Sequence, residues 1–175
     1  MREALRREII SSLEIQARVD ELGRQITHDY QGRQLVLLGV LNGAFVFAAD
    51  LCRAIALDLE IDFIRVASYG TASKSSGKIR LLKEPSIELT GKDVLLVEDI
   101  VDTGTTMAWM LEHFGQSGAD TVRICTLIDK TERRRVPVTA AYIGFSLDQG
   151  FLVGYGLDYG EKYRNLPAIY TLQVE

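Results

Sequence analysis

The segment "VLLVEDIVDTGTTM", residues 94–107, decides the fold. Its apolar run leads into the acidic pair Glu98–Asp99, then two more apolar residues and Asp102, and it closes on Gly104 among three threonines. A continuous apolar run of this kind is typical of a strand that is covered on both faces. A helical pattern, "GTTMAWMLEHFGQSG", begins at Gly104. The segment therefore predicts a β-strand, a tight turn and an α-helix in succession.

The turn in this segment has the composition of an anion site. In an open α/β sheet, ligands bind at the carboxyl ends of the strands, and the run "VLLV" ends where Glu98 begins. We expect Asp102 to cap the helix, which leaves the backbone N–H groups of residues 103–106 and the helix dipole to bind phosphate. The simpler alternative is a helix cap beside two solvated acidic residues. It does not explain two carboxylates at the end of a buried strand, where uncompensated charge is costly.

Apolar runs on both sides of the segment predict the other strands of a sheet. One β-α-β unit precedes the segment and a second one contains it. Because such runs suit strands covered on both faces, we predict the α/β class, with a largely parallel, doubly wound sheet and helices on both faces. The predicted elements are strands at 34–41, 59–69, 92–100 and 120–129 and helices at 43–57 and 104–118.

The region before the first strand predicts one more helix. Ser11 and Ser12 are candidate N-caps, apolar residues recur after them at helical spacing, and Gly32 is placed to end the helix. The recurring residues are Ile15, Val19, Leu22 and Ile26.

Residues 70–78, "GTASKSSGK", are small and polar and predict a mobile loop, followed by a short hairpin. Residues 138–174 alternate strand and turn patterns without a long helix. No Pro-rich linker, internal repeat or low-complexity block divides the chain. The sequence therefore predicts one domain over residues 1–175.

Composition restricts the partners. The net charge of −4 argues against general binding to nucleic acid, which needs a basic surface. The most apolar segment is shorter than the roughly 20 residues that span a bilayer, and the charged start does not resemble a secretory signal. Cys52 and Cys125 lie in apolar surroundings without metal-ligand spacing, which favours free thiols in a reducing cytosol. We expect a cytoplasmic protein with small-molecule partners and no membrane contact.

The 94–107 segment resembles the phosphoribosyl pyrophosphate motif of the type I phosphoribosyltransferases: four apolar residues, two acidic, two apolar, then D-T-G-x-T. Four further segments, "VLNGAFVFAADL", "SYG" (68–70), "LIDK" (127–130) and "FLVGYGLDYGEKYRNLP" (151–167), occur in the order found in hypoxanthine-guanine phosphoribosyltransferases. The resemblance covers nearly the whole chain. It implies the type I phosphoribosyltransferase fold, with a core at about 30–145 and a small hood formed by the N-terminal and C-terminal segments.

The resemblance also implies where phosphoribosyl pyrophosphate binds. Glu98 and Asp99 would hold the ribose hydroxyls, directly or through Mg²⁺, and Asp158 would be a ligand of a second Mg²⁺. A loop after the first strand would bind pyrophosphate, although many relatives have Lys where this chain has Asn42. The phosphate would be held by Thr103, Gly104, Thr105 and Thr106, and the pyrophosphate by Leu41, Asn42, Gly43 and Arg164, with Arg134 as a further candidate.

The purine site follows from the same resemblance. Taken alone, Lys130 would be a surface lysine and Phe151 a core aromatic. In the family's arrangement Lys130 faces the base, and because an ammonium group only donates hydrogen bonds, it would select the O6 acceptor of 6-oxopurines. Phe151 would stack on the base, the backbone of Leu152 would meet its other edge, and Asp158 would also lie near it.

The implied reaction is purine salvage: transfer of a phosphoribosyl group to hypoxanthine or guanine. Asp102, near the purine N7, would be the general base, and Ser68 and Tyr69 would begin a lid that excludes water. His28 and His113 fall on predicted helices and have no role in it. The alternatives are a xanthine-preferring enzyme and a phosphoribosyl pyrophosphate-sensing regulator that binds nucleic acid. The family suggests a homodimer or homotetramer.

Overall fold

The computed structural model describes the backbone of residues 3–71, 74–148 and 150–174, and the side chains of residues 7–67, 79–148 and 150–173. The helices are α1 (Ser12–Asp29), α2 (Phe45–Ala54) and α3 (Thr105–Gly115). The strands are β1 (Glu3–Ile10), β2 (Leu35–Leu41), β3 (Glu60–Thr71), β4 (Lys74–Lys83), β5 (Asp93–Val101), β6 (Thr121–Asp129), β7 (Tyr142–Ser146), β8 (Leu152–Val153) and β9 (Ile169–Val174).

A six-stranded sheet in the order β4-β3-β2-β5-β6-β7 forms the centre of the molecule. All neighbouring pairs are parallel except β3 and β4, which form an antiparallel hairpin at one edge. β5 lies between β2 and β6, so the carboxyl ends of these three strands meet at one edge of the sheet. The prediction of a largely parallel sheet is confirmed.

Helices cover both faces of this sheet, as predicted. Alternate residues of β5 point to opposite faces, so Leu95 belongs to the core on one side and Leu96 to the core on the other. The first core packs against α1 and α2 through residues such as Leu22 and Phe47, and the second packs against α3 through residues such as Met110.

A smaller antiparallel sheet in the order β1-β9-β8 joins the two ends of the chain. The sequence assigned no element to β1, because its charged residues hide the strand pattern and its partner β9 lies at the other end of the chain. Ile10, the last residue of β1, and Ile169, the first of β9, are paired and buried in the main core. The small sheet is therefore attached to the large one through shared apolar packing.

The predicted loop at 70–78 is partly wrong. The backbone continues as strand through Thr71 and again from Lys74, and Gly70 pairs with Ser75. Small and polar residues hid these strands, since backbone pairing at a hairpin tip does not require apolar side chains. The hairpin is confirmed, residues 72 and 73 lie outside the described structure, and the mobility of the segment stays a prediction.

The two cysteines are free thiols, as predicted. Cys125 is fully buried in the core and Cys52 is only partly buried. Burial raises the pKa of the Cys125 thiol, which makes it a poor nucleophile. Among the described helices, none has the length and apolar character needed to cross a membrane.

Ser11, rather than Ser12, caps α1. The Ser11 hydroxyl accepts a hydrogen bond from the backbone N–H of Glu14, and the Glu14 carboxylate accepts one in return from the backbone N–H of Ser11. This reciprocal pair is a capping box, which satisfies two backbone donors at the start of the helix. Ser12 is the first helical residue and has no such role.

We expect Ser11→Ala to lower the free energy of unfolding by about 1 kcal/mol, the usual cost of losing an N-cap side chain. Ser12→Ala removes the same hydroxyl one residue later and should change stability by less than about 0.5 kcal/mol. Urea unfolding followed by circular dichroism measures both values. Equal losses in the two variants would contradict the assignment of the cap.

Candidate active site

The acidic pair lies near the end of β5, in agreement with the strand predicted at 92–100. β5 continues to Val101 because β6 pairs with it up to Val101↔Asp129. On the other side, β2 pairs with β5 only as far as Gly39↔Val97. Glu98 and Asp99 therefore lie where β2 and β5 separate, and the helices that follow these strands cover opposite faces. Such a switch point is where open α/β sheets bind ligands.

The turn into α3 is built by Gly104, and the prediction that Asp102 caps the helix is wrong. Gly104 is the N-cap residue, with φ of 81°, and no side chain caps the helix. A Cβ atom at this position would lie 2.4 Å from the carbonyl oxygen of Val136 and so could not fit. Only glycine combines this left-handed conformation with so close an approach. The sequence could not reveal that contact, because Val136 is remote along the chain.

A polar cavity of about 170 Å³ opens at this turn. The helix N-terminus supplies its unpaired backbone N–H groups, although the Thr105 N–H also has a long contact of 3.4 Å with Thr103 Oγ1. The cavity brings together most of the residues predicted to bind phosphate and ribose. It is lined by Glu98, Asp99, Ile100, Val101, Asp102, Thr103, Gly104, Thr106 and Met107.

Arg134 stabilises the turn from outside the cavity. Its guanidinium forms an ion pair with Asp129 and donates to the carbonyl oxygens of Asp102, at 3.0 Å, and Val138, at 3.0 Å. The backbone N–H of Arg135 donates to the Thr103 carbonyl at 2.9 Å in the same way. The guanidinium is thus part of the framework of the turn, and the candidate role of Arg134 as a pyrophosphate contact stays a prediction.

The two carboxylates of β5 are buried, and the charge of Arg164 offsets the burial of Asp99 only in part. Glu98 is only 8% exposed, and its Oε1 accepts from the backbone N–H of Asp99 at 3.1 Å. Burial, and then the neighbouring Asp99 charge, hold the pKa of Glu98 well above its usual range. Burial likewise raises the pKa of Asp99. Neither carboxylate forms an ion pair with any side chain that the structure describes.

This donor set fits Mg²⁺. Hard cations take oxygen ligands, and Mg²⁺ is commonly held by one or two carboxylates together with the phosphates of a substrate. A buried carboxylate pair beside the unpaired N–H groups of a helix start has that character. No three acidic, histidine or cysteine side chains in the described residues are grouped so that they could hold a metal ion by themselves. Substrate oxygens and water molecules would supply the remaining ligands.

Asp102 presents an acceptor to the cavity. Its Oδ2 lies 3.3 Å from the guanidinium of Arg133, whose side chain is largely exposed. Its Oδ1 is buried and has no hydrogen-bond partner among the described residues. Buried polar atoms are nearly always paired in folded proteins, so this oxygen fits a proton donor on a ligand.

The loop after β2 lies directly beside the acidic pair. The peptide bond between Leu41 and Asn42 is cis. A Cβ atom on Gly43 would lie 1.8 Å from Oδ2 of Asp99, so a side chain here would displace the carboxylate. The structure therefore brings residues 41–43 and the acidic pair into contact.

The C-terminal segment closes the site from the other side. Arg164 donates to the Gly156 carbonyl at 2.8 Å and pairs with Asp158 and Glu161, each at 2.9 Å. A Cβ atom on Gly156 would lie 2.1 Å from the carbonyl oxygen of Gly43. Asp158 is thus beside Arg164, and both belong to a segment that packs on the 41–43 loop.

The predicted purine residues lie next to the end of β5. The backbone N–H of Lys130 donates to the Val101 carbonyl oxygen at 2.9 Å. Lys130 is only 7% exposed, unlike a surface lysine, and its ammonium donates to the Gly150 carbonyl at 2.9 Å. Phe151 is 48% exposed and meets Tyr159 edge-on, with 5.3 Å between ring centroids. Its exposure leaves an aromatic surface free, whereas Leu152 is buried.

The two predicted lid residues lie in β3, where the backbones of Ser68 and Tyr69 pair with Ile79 and Lys78. Their side chains are outside the described structure. Sequence reasoning missed Arg133 and Gly156, which contact Asp102 and the 41–43 loop. The pattern "GYG" around Gly156 was a signal for unusual backbone, but its neighbour in space could not be read from it.

Comparisons with known proteins agree with this geometry. The family model described as phosphoribosyl transferase domain matches residues 7–160. The hypoxanthine phosphoribosyltransferase of Salmonella typhimurium is 44% identical over 163 residues, covering 92% of each chain. The hypoxanthine-guanine phosphoribosyltransferase of Bacillus subtilis is 42% identical, covering 99% of this chain and 96% of that protein.

Solved structures give the same result. The hypoxanthine phosphoribosyltransferase of Staphylococcus aureus superposes with a TM-score of 0.93 at 41% identity, covering 97% of this chain and 92% of the other. The hypoxanthine-guanine enzyme of Bacillus anthracis, with HEPES in its active site, gives 0.92 at 43% identity, covering 99% and 100%. The chain belongs to the phosphoribosyltransferase family. Within that family it groups with the hypoxanthine-guanine phosphoribosyltransferases.

The turn at Gly104 generates one prediction. Gly104→Ala should lower the affinity for ribose 5-phosphate by about tenfold or more, since the added Cβ atom forces the turn away from Val136. Gly91→Ala is the matched control, because Gly91 also has a positive φ, of 71°, but a Cβ atom there meets no described atom within 4 Å. Calorimetric titration measures the affinities. Unchanged binding in Gly104→Ala would show that the turn does not hold the phosphate.

The carboxylate pair generates a second prediction. A carboxyl group whose pKa is raised by folding binds its proton more tightly in the folded state, so its ionisation destabilises the fold as the pH rises above the unfolded pKa of about 4.3. We therefore expect Glu98→Gln to raise the free energy of unfolding at pH 7–8 by about 1–2 kcal/mol.

This gain should disappear below about pH 4, where Glu98 is protonated in both states. Glu112→Gln, at an exposed position of α3, is the control and should leave stability unchanged at each pH. Denaturant unfolding at a series of pH values measures the difference. A loss of stability in Glu98→Gln at pH 8 would contradict the assignment of an uncompensated charge.

Proposed function

We propose that the chain transfers the 5-phosphoribosyl group of phosphoribosyl pyrophosphate to N9 of hypoxanthine or guanine, which forms IMP or GMP and releases pyrophosphate. This is a purine salvage reaction. The observation that carries the proposal is the cavity in which the buried pair Glu98–Asp99 directly precedes the phosphate-binding turn of residues 103–106. Acceptors for sugar hydroxyls and donors for a phosphate thus lie side by side.

The phosphoribosyl group would lie along β5 and the start of α3. Its 5′-phosphate would accept hydrogen bonds from the backbone N–H groups at the helix N-terminus, where the positive end of the helix dipole adds to the attraction. Its ribose hydroxyls would donate to Glu98 and Asp99. The side chains of the 103–106 segment, Thr105 among them, are not needed for this contact.

The pyrophosphate would lie between the 41–43 loop and Arg164. Backbone N–H groups of the loop and the planar guanidinium of Arg164 both suit phosphate oxygens. Arg164 is held in place by Gly156 and Asp158 and so needs little reorganisation when the substrate binds. Asn42 replaces a charged lysine of many relatives, so the loop would rely on its backbone and on Arg164.

The purine would lie between Lys130 and Phe151. The ammonium of Lys130 has three protons and uses one on the Gly150 carbonyl, which leaves donors for O6 of the base. The exposed face of Phe151 would stack on the ring, and the backbone of Leu152 would contact its other edge. The amino group of adenine is itself a hydrogen-bond donor and would face the donors of Lys130. The site therefore favours 6-oxopurines.

In the reaction, the bond between C1′ and the pyrophosphate oxygen breaks and N9 of the base bonds to C1′. We propose that the C1′–O bond breaks before the N9–C1′ bond is fully formed. Positive charge then develops on the ribose ring and negative charge on the pyrophosphate. Arg164 would stabilise the leaving group electrostatically. The unpaired Oδ1 of Asp102 would accept the proton from N7, or stabilise the charge that develops there, as N9 attacks.

Mg²⁺ would add positive charge to the pyrophosphate and so favour its departure. Glu98 and Asp99 are the proposed protein ligands of one ion and Asp158 of a second. Asp158 pairs with Arg164 and accepts a hydrogen bond from the backbone N–H of Glu161. A carboxylate oxygen of Asp158 that bound the ion would therefore also keep one of these partners.

The β3–β4 hairpin would form the lid. β2 ends at Leu41, which pairs with Arg65, while β3 continues to Thr71 beyond the edge of the sheet that carries the site. Ser68 and Tyr69 lie on this extension. Covering the reacting carbon would exclude water, which otherwise competes with the purine as nucleophile. We further propose that the enzyme works in the cytoplasm as a homodimer or homotetramer, in keeping with the family.

The direct test is pyrophosphate release from phosphoribosyl pyrophosphate with hypoxanthine, guanine, xanthine or adenine in turn, each with Mg²⁺ and with EDTA. We expect turnover with hypoxanthine and guanine, little with adenine, and none in EDTA. Fastest turnover with xanthine would favour a xanthine-preferring enzyme. The absence of turnover with every base would overturn the proposal.

Asp102→Asn should lower kcat by about 100-fold or more, because the amide cannot accept the purine proton. KM for phosphoribosyl pyrophosphate should stay within about threefold, since the phosphate and ribose contacts remain. Asp148→Asn is the control, because Asp148 is an exposed aspartate contacted by Thr131, and it should leave both constants unchanged. Steady-state kinetics decide, and parental kcat in Asp102→Asn would remove Asp102 from the chemistry.

A further inference from the structure

Tyr155 makes a buried contact that the proposed reaction does not use. Its phenol is in the main apolar core, the residue is only 7% exposed, and its hydroxyl donates to Oδ2 of Asp50 at 2.5 Å. Burial, and then the bond to Asp50, raise the pKa of the Tyr155 phenol, so the hydroxyl stays a donor throughout the working pH range. The contact joins the C-terminal segment to α2 across a long stretch of sequence.

Asp50 belongs to the helix that begins at the pyrophosphate loop. The N–H of Ala44, the N-cap residue of α2, donates to the Val40 carbonyl at 3.1 Å, so the loop and the helix are one continuous hydrogen-bonded unit. Asp50 also pairs with Arg53 one turn further on, which fixes its carboxylate on the helix. A group bound to Asp50 is therefore held at a defined place relative to residues 41–43.

Tyr155 lies between Gly154 and Gly156, and the lack of a side chain on Gly156 lets this segment pack closely against the 41–43 loop. Tyr155 itself has φ of 49°, and Gly154 and Gly156 have φ of 100° and 101°. A Cβ atom on Gly156 would lie 2.1 Å from the Gly43 carbonyl oxygen. The Gly156 carbonyl in turn accepts from the Arg164 guanidinium at 2.8 Å. The short chain from Tyr155 to Gly156 thus lies between the pyrophosphate loop and Arg164.

We propose that Tyr155 and Asp50 are positioning residues, whose hydrogen bond holds the 154–156 segment against α2 and so fixes Arg164 relative to the 41–43 loop. This inference rests on the proposed function, in which those two groups bind pyrophosphate. Neither Tyr155 nor Asp50 lines the cavity at the acidic pair in the described structure. They act through Gly156 and Gly43, and their effect is confined to the pyrophosphate half of the site.

Tyr155→Phe tests this with a matched control. Tyr142→Phe removes a similar bond, since the Tyr142 hydroxyl donates to Asp29 Oδ2 at 2.7 Å from a buried ring. That pair joins β7 to α1 and touches no proposed site residue. We expect Tyr155→Phe to raise KM for phosphoribosyl pyrophosphate and Kd for pyrophosphate about tenfold. KM for hypoxanthine should stay within about twofold, and Tyr142→Phe should change none of these constants.

Asp50 gives a second, independent test. Asp50→Asn keeps an oxygen that accepts from Tyr155 and should bind pyrophosphate nearly as the parent does, whereas Asp50→Ala should weaken binding as Tyr155→Phe does. The double variant Tyr155→Phe/Asp50→Ala should be no weaker than either single variant, because both remove the same bond. Calorimetric titration with pyrophosphate and Mg²⁺ measures all four.

The outcomes separate this inference from the proposed function. A parent enzyme that transfers phosphoribosyl groups, with pyrophosphate binding unchanged in Tyr155→Phe and Asp50→Ala, would overturn the positioning role and leave the function intact. Strictly multiplicative losses in the double variant would also overturn it. A parent enzyme that neither binds pyrophosphate nor turns over would contradict both the positioning role and the proposed function. If Tyr155→Phe fails to fold, the contrast between Asp50→Asn and Asp50→Ala decides by itself.

Discussion

The parallel pairing of β5 between β2 and β6 is the constraint on which the site depends. β6 stays paired with β5 beyond the acidic pair, while β2 separates from it after Gly39↔Val97. The chain leaves β2 for one face of the sheet and β5 for the other, and a crevice opens between them. The loop at 41–43, the carboxylates of β5 and the turn into α3 all meet there because three strands end at the same edge.

Close backbone approach then assembles the crevice. Gly43 lies against Asp99, Gly156 lies against Gly43, and Gly104 lies against Val136. In each pair a Cβ atom on the glycine would overlap an atom of its neighbour. These contacts bring polar groups from distant parts of the chain to within reach of one small ligand. The arrangement buries two carboxylates that form no ion pair with a described side chain, and this burial raises their pKa values and costs stability. Local destabilisation of this kind is expected at sites built to bind a charged ligand.

The features that could be predicted from the sequence are those that depend on local residue patterns. The strand, turn and helix around residues 94–107 follow from hydrophobic runs, and the proposed phosphate site follows from a helix start beside an acidic pair. Contacts between distant residues could not be read in this way. The Gly104 cap depends on the Val136 carbonyl, Arg134 is occupied by Asp129, and β1 becomes a strand only through pairing with β9. Tyr155 and Asp50 are a further example, since 105 residues separate them.

A crystal structure of the chain with bound IMP would show most directly whether one ligand spans the carboxyl edge of the sheet. We expect the 5′-phosphate to lie within hydrogen-bond distance of the backbone N–H groups of residues 103–106, and the ribose hydroxyls to contact Glu98 and Asp99. We also expect the purine ring to stack on Phe151, with O6 at the Lys130 ammonium. A phosphate bound away from the α3 N-terminus, or a ribose out of reach of the acidic pair, would contradict the proposed binding site.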